Sequence, residues 1–165
     1  MRNVSKSVLA AASLLMFGTV AQAQTNNASI TATATVLTPI NVSAFQALNF
    51  GNVFPGVNKA IAASDLANAG RFDVTGQNGA TVNMSFTLPA TLSSAGNTMP
   101  IGSFTGIHAL VSTQAGGVSF TPSAGATTVL SGGGLLFVWI GGQVQPATNQ
   151  AAGVYTGTIL LTVVY

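Results

Sequence analysis

The stretch Gly153-Val-Tyr-Thr-Gly-Thr-Ile-Leu-Leu-Thr-Val-Val-Tyr165 decides the fold class. Side chains alternate between the two faces of an extended strand. Tyr155, Gly157, Ile159, Leu161, Val163 and Tyr165 therefore share one side, and Thr156, Thr158 and Thr162 share the other. One face is apolar and one is hydroxylated. The pattern predicts a single long β-strand running to Tyr165. A strand this apolar has to pair inside a sheet, because left open it would template aggregation.

Working outward, Leu135-Leu-Phe-Val-Trp-Ile140 is apolar on both sides, which places it centrally in a sheet covered on both faces, with Gly141-Gly142 turning out of it. Arg71 to Thr75, the Gly76-Gln-Asn-Gly79 stretch, and the alternation Val82, Met84, Phe86, Leu88 predict a β-hairpin ended by Pro89. Ile40 to Phe45, Leu48 to Gly56, Ile107 to Val111 and Thr127 to Leu130 read as further short strands. Residues 57–70 are compatible with a helical turn or a loose strand. Residues 90–100 read as a Ser/Gly/Asn loop, 116–125 as a turn region carrying Val118 and Phe120, and Gly132-Gly-Gly134 as a hairpin turn. Short strands punctuated by Gly, Pro and Asn, with no convincing helix, indicate an all-β, immunoglobulin-like β-sandwich.

The N-terminal region has its own organisation. Arg2 and Lys6, the apolar run Val8 to Val20, and Ala21-Gln-Ala23 form the three parts of a secretory signal peptide, expected over residues 1–23. Residues 24–36 form an extension in which Ala28, Ile30, Ala32, Ala34 and Val36 alternate with Ser29, Thr31, Thr33 and Thr35. That is a strand by period, with mostly small apolar side chains suited to a narrow groove. The sandwich domain is expected over residues 37–165.

With the leader removed, the charges are Lys59 and Arg71 against Asp65 and Asp73. A neutral chain offers no basic patch from which nucleic acid would release counterions, so DNA and RNA are excluded as partners. Charged residues are 4% of the sequence, against roughly a quarter in ordinary soluble domains. Such a surface promotes association. There is no cysteine, so stability has to come from the core that roughly 140 residues can bury.

Catalysis has almost nothing to work with. His108 is the only histidine, and no cysteine accompanies the two aspartates, so neither a metal site nor a nucleophilic triad can be assembled without nearly every ionisable group converging. The protein is expected to be no enzyme and to need no cofactor. His108 reads as a solvent-facing strand residue, Arg71 and Asp73 as a surface ion pair, and Trp139 as core rather than a sugar platform. Gly132-Gly-Gly134 lacks the Lys-Ser/Thr and helix of a phosphate loop. Asn27-Ala-Ser29, Asn41-Val-Ser43 and Asn83-Met-Ser85 match the glycosylation acceptor pattern, but Asn83 falls within a strand and the leader is of bacterial type.

Leu48-Asn-Phe-Gly51, Phe72-Asp-Val-Thr-Gly76, Ile140-Gly-Gly142, and Gly153-x-Tyr155-x-Gly-Thr158 closing on Thr162-Val-Val-Tyr165 resemble, in order and spacing, the bacterial secreted family catalogued as domain of unknown function 4402. That family is similar in pattern to chaperone-usher fimbrial subunits and spore-coat-U-like pilins, although this sequence lacks the cysteine pair of many of them. The resemblance implies a sandwich completed by a neighbour's N-terminal strand, a homopolymer, a periplasmic chaperone and outer-membrane usher as partners, and passage through the periplasm to a fibre at the cell surface. It brings no catalytic residues.

The expected function is therefore an exported structural subunit of a surface fibre or pilus, with Ala28, Ile30, Ala32, Ala34 and Val36 as the donated strand. Two alternatives belong to other classes. A small outer-membrane β-barrel would use the terminal aromatic as an insertion signal, but the sequence is poor in Tyr and Trp for girdles and in charge for a polar lumen. A secreted monomeric adhesin or carbohydrate-binding module would need an aromatic platform that the sequence does not display.

Overall fold

The computed structural model describes residues 26–165, so the signal peptide expected over 1–23 lies outside the described residues. The chain divides into two units, residues 1–35 and 36–165. In the first, the described residues 26–35 are exposed and in no helix or strand. The second consists of β1 (Asn41–Gln46), β2 (Lys59–Ile61), β3 (Gly70–Thr75), β4 (Thr81–Thr87), β5 (Thr91–Ser94), β6 (Asn97–Ala109), β7 (Val118–Phe120), a short 3-10 turn, β8 (Ala126–Val129), β9 (Leu135–Val144) and β10 (Leu160–Val164).

These strands form two antiparallel sheets in a curled, sandwich-like arrangement. The seven-stranded sheet runs β1-β3-β9-β6-β5, with β2 also beside β9 and β7 beside β6; the three-stranded sheet runs β10-β4-β8. Alternation fixes what lies between them: Val74, Leu136, Val138 and Ile140 from the larger sheet meet Val82, Met84 and Leu161 from the smaller, with Leu130 between. Each such side chain, fully buried, contributes about 1.5–3 kcal/mol relative to exposure.

β9 is the central strand, between β3 and β6. Its inward residues fill the core, while Trp139, only 2% exposed, points to the opposite face and is covered by Ile61, Ala63 and Ala69. The all-round apolar pattern is explained by this third layer of chain over the sheet.

Several expectations need correction. The terminal stretch is not one strand. Thr156 pairs with Ser93 of β5 in the larger sheet, and pairing with β4 in the smaller sheet starts at Leu160. The stretch changes sheets between them, and β10 lies at an edge, bonded on one side only. The hairpin expected over 71–88 is likewise a crossing. β3 pairs with β1 and β9, and β4 with β10 and β8. Gly132-Gly-Gly134 joins β8 to β9 in the same way rather than closing a hairpin. The two crossings are tied side by side: the Gly76 amide donates to the Gly134 carbonyl at 2.9 Å, the Gly79 amide to Ser131 at 3.1 Å, and the Leu130 amide to Ala80 at 2.9 Å.

Residues 90–100, expected as a loop, contain the true hairpin, β5 and the start of β6 around Ala95 (φ 45°) and Gly96 (φ 85°). Only Leu92 and Met99 of that hairpin are buried, so its apolar signal is faint. Gly141 and Gly142 do not end β9. A Cβ at Gly141 would collide with the Ile61 carbonyl oxygen and the Ala63 amide nitrogen, so glycine is there to let β2 and its loop approach. Leu48 to Gly56 forms no strand: the Asn49 amide donates to Asn68 and the Gly56 amide to Ala147. His108 is buried, 8% exposed, beside Phe120 with ring centroids 5.8 Å apart, because β6 is covered at that point by β7.

Candidate functional site

The strand pattern over Ala28, Ile30, Ala32, Ala34 and Val36 forms no strand within this chain. A strand exists only where another edge accepts its hydrogen bonds, and among the described residues none does. Ile30 is 95% exposed and Val36 94%. These are the least buried of the large apolar side chains in the described residues.

The C-terminal face is placed as its alternation requires, but its residues do three different things. Leu161 is buried in the core, with Ile159 and Val163 packed against it. Tyr165 locks a corner: its hydroxyl accepts from the Gln77 amide at 2.7 Å and donates to the Thr38 carbonyl, while the Thr38 amide donates to Gln77 Oε1 at 3.1 Å. Tyr155 and Gly157 stand before the sheet change, where a Cβ at Gly157 would lie 2.7 Å from Leu92 Cδ2 and press that side chain aside.

Tyr155, Gly157 and Ile159 form one wall of an open groove along the side of the sandwich. Ala44, Ala47 and Leu48 form the other wall, and Phe72, Ile101 and Ile140 lie at its floor, enclosing about 370 Å³. It continues into a second cleft of about 610 Å³ between the 48–55 and 150–155 loops, with Met99 beneath. β1, which lines the opening through Ala44, and β10, which begins directly after the lining residue Ile159, are both sheet edges. Between Gly153 and Ile159 only Thr156 carries backbone hydrogen bonds, to Ser93 at 2.8 and 3.0 Å. No lining residue is charged. The groove therefore offers apolar surface and free backbone groups, which is what an added extended peptide needs.

Of the charged residues, Lys59 stands behind the second cleft, its Nζ donating to the Asn52 carbonyl at 3.1 Å, and the others lie on the larger sheet and its loops. Arg71 and Asp73 are more than a surface pair. Arg71 donates through Nε to Oδ1 at 2.7 Å and Nη2 to Oδ2 at 3.0 Å, and its guanidinium lies 4.2 Å from the Phe45 ring centroid and 4.9 Å from that of Phe137. Asp65 accepts from Asn68 Nδ2 and from the amides of Ala67 and Asn68, which hold its carboxyl below the usual value. Burial pushes the His108 imidazole below its usual 6.5. Among the described residues, no three His, Cys, Asp or Glu side chains gather as a metal site would require.

A family model described as Domain of unknown function (DUF4402) matches residues 8–165. The chain belongs to this family. No curated protein matches the sequence. The match to this DUF4402 chain spans both the alternating N-terminal segment and the sandwich. Two of the motifs that carried the resemblance, Leu48 to Gly51 and Gly153 to Thr158, lie against the groove from opposite sides. The groove's floor was not legible beforehand, since Phe72, Ile101 and Ile140 come from three separate strands.

Proposed function

We propose that this DUF4402 chain is a non-catalytic, exported structural subunit of a bacterial surface fibre, assembled by insertion of residues 28–36 of one copy into the side groove of the next. One observation carries the reading. The segment with the most regular strand pattern is unpaired and exposed, while the folded unit has an uncharged apolar groove flanked by two free sheet edges. Nine residues in extended form span about 30 Å.

Insertion gives the donated backbone a hydrogen-bond ladder and removes Ile30 and Val36 from water. Because the donating and accepting surfaces differ, each inserted copy still offers its own groove, and the chain of contacts does not close. The sandwich is read as immunoglobulin-like, lacking one strand. A periplasmic chaperone that shields the groove before assembly, and an usher for export, complete this route. The inward-facing core supports the fibre reading over a small membrane barrel, whose apolar side chains would face lipid.

The test is an unboiled denaturing gel of the exported protein. A ladder that collapses to one band on boiling, and that disappears when residues 26–36 are deleted, is expected. An undiminished ladder from the deleted form would overturn strand donation.

A further inference from the structure

We infer that the groove is two-lobed, and that its waist of Leu48, Phe50 and Tyr155 fixes the register of the inserted segment by admitting only Ala32 and Ala34. This rests on the strand-donation reading and adds the element that determines its register. Leu48, Phe50 and Tyr155 line both clefts, so the clefts meet at these side chains. The lobe of about 370 Å³ lies on the Phe72 and Ile159 side, and the lobe of about 610 Å³ on the Val53 and Val154 side.

The waist is held in place. The Tyr155 hydroxyl accepts from Gln150 Nε2 at 2.6 Å and donates to the Ala151 carbonyl at 2.8 Å, and Gln150 is itself anchored to the Thr98 carbonyl at 3.1 Å. Phe50 packs against both the Trp139 cluster and the Leu92 and Val144 cluster. Leu48 closes over Gly70, where a Cβ would meet its amide nitrogen at 3.2 Å. Each of the three would lose these contacts on swinging aside.

The segment has the complementary outline. On its apolar face Ile30, Ala32, Ala34 and Val36 follow one another about 6.7 Å apart, so two large side chains some 20 Å apart flank two small ones. Ile30 and Val36 then enter the two lobes while the alanines cross the waist. The large-small-small-large order is the same in either direction, so this register holds whichever way the segment runs. The segment has no charged side chain to read the Lys59 ammonium behind Asn52, and no lining residue is charged, so side-chain volume is the feature that distinguishes one register from another.

The experiment substitutes Ala32→Leu and Ala34→Leu, singly, in the full-length secreted protein, with Thr31→Leu and Thr33→Leu on the opposite face as controls. The readout is the lifetime of the polymer in denaturing detergent. All four positions are exposed in the unassembled chain, so monomer melting stays unchanged. Overpacking the waist is expected to shorten polymer lifetime about tenfold or more in Ala32→Leu and Ala34→Leu but not in the controls. Adding Tyr155→Ala to Ala32→Leu is expected to restore it. Without a waist, the added methylenes would only bury more apolar surface. Polymers of Ala32→Leu and Ala34→Leu as long-lived as the unsubstituted one, or longer-lived, therefore overturn the inference while leaving strand donation standing. If the unsubstituted protein forms no polymer, strand donation itself fails.

Discussion

The double substitution Ile30→Ala with Val36→Ala separates assembly from folding. Both side chains are nearly fully exposed in the isolated chain, at 95% and 94%, so truncating them removes no packing from the sandwich. If both are buried in a neighbour's groove, the loss is three carbons from isoleucine and two from valine. At about 0.8 kcal/mol per buried methylene, that is about 4 kcal/mol, or roughly a thousandfold in the equilibrium between inserted and free segments. The assay follows polymer dissociation in increasing denaturant by unboiled gel, beside thermal unfolding of monomer recovered after boiling and refolding. A polymer that dissociates far more readily, with monomer melting unchanged, is expected. Polymer as durable as the parent would show that these side chains are not buried on assembly, and a lowered monomer melting temperature would show that they already pack against their own domain.

Three further substitutions probe the domain itself. Gly141→Ala drives a methyl group into the backbone of Ile61 and Ala63, and should cost about 1–3 kcal/mol in urea unfolding, with β2 detaching first in hydrogen exchange. Arg71→Ala leaves the half-buried Asp73 carboxylate without its bidentate partner and strips the cation from Phe45 and Phe137, for a loss of about 1–3 kcal/mol that Trp139 fluorescence would follow. His108 has its affinity for a proton lowered by folding, so below 6.5 the unfolded chain binds more protons than the native one. Stability is thus full above that pH and falls as pH drops from there towards the lower folded value. His108→Phe should flatten this part of the profile, and an unchanged slope would remove His108 as its cause.

What the sequence made legible was period, and what it concealed was partnership. Alternation correctly turned Val82, Met84 and Leu161 inward and left Asn83, Ser85 and Thr162 outside, because the face of a strand is a local property. It could not say that β3 and β4, six residues apart, belong to different sheets. A turn rich in Gly and Asn serves equally for a hairpin or for a crossing, and the hydrogen bonds that decide come from Leu130, Ser131 and Gly134, fifty or more positions away. The same holds for Gly141, whose reason is the approach of β2 and its loop, and for Gly142, beside which the Phe104 ring lies. Of the groove, the Tyr155 to Ile159 wall was visible as an alternating run. Its floor, gathered from β3, β6 and β9, was not.

The anchoring of Thr38 bears on where the free segment can go. Tyr165 and Gln77 hold Thr38 at the C-terminal end of β10, two residues after Val36. A segment folding back from that point along the open edge of its own β10 has to run with its later residues nearest Tyr165, and so parallel to β10. The same segment from a second copy is under no such constraint and can run in either direction along that edge. Self-insertion also has to reverse the chain within Leu37 to Ile40, next to Pro39, whose ring disfavours the turn conformation at Thr38. The corner that closes the sandwich thus penalises completion within one chain by the reversal it demands beside Pro39. Under the strand-donation proposal, that penalty keeps the segment available to another copy.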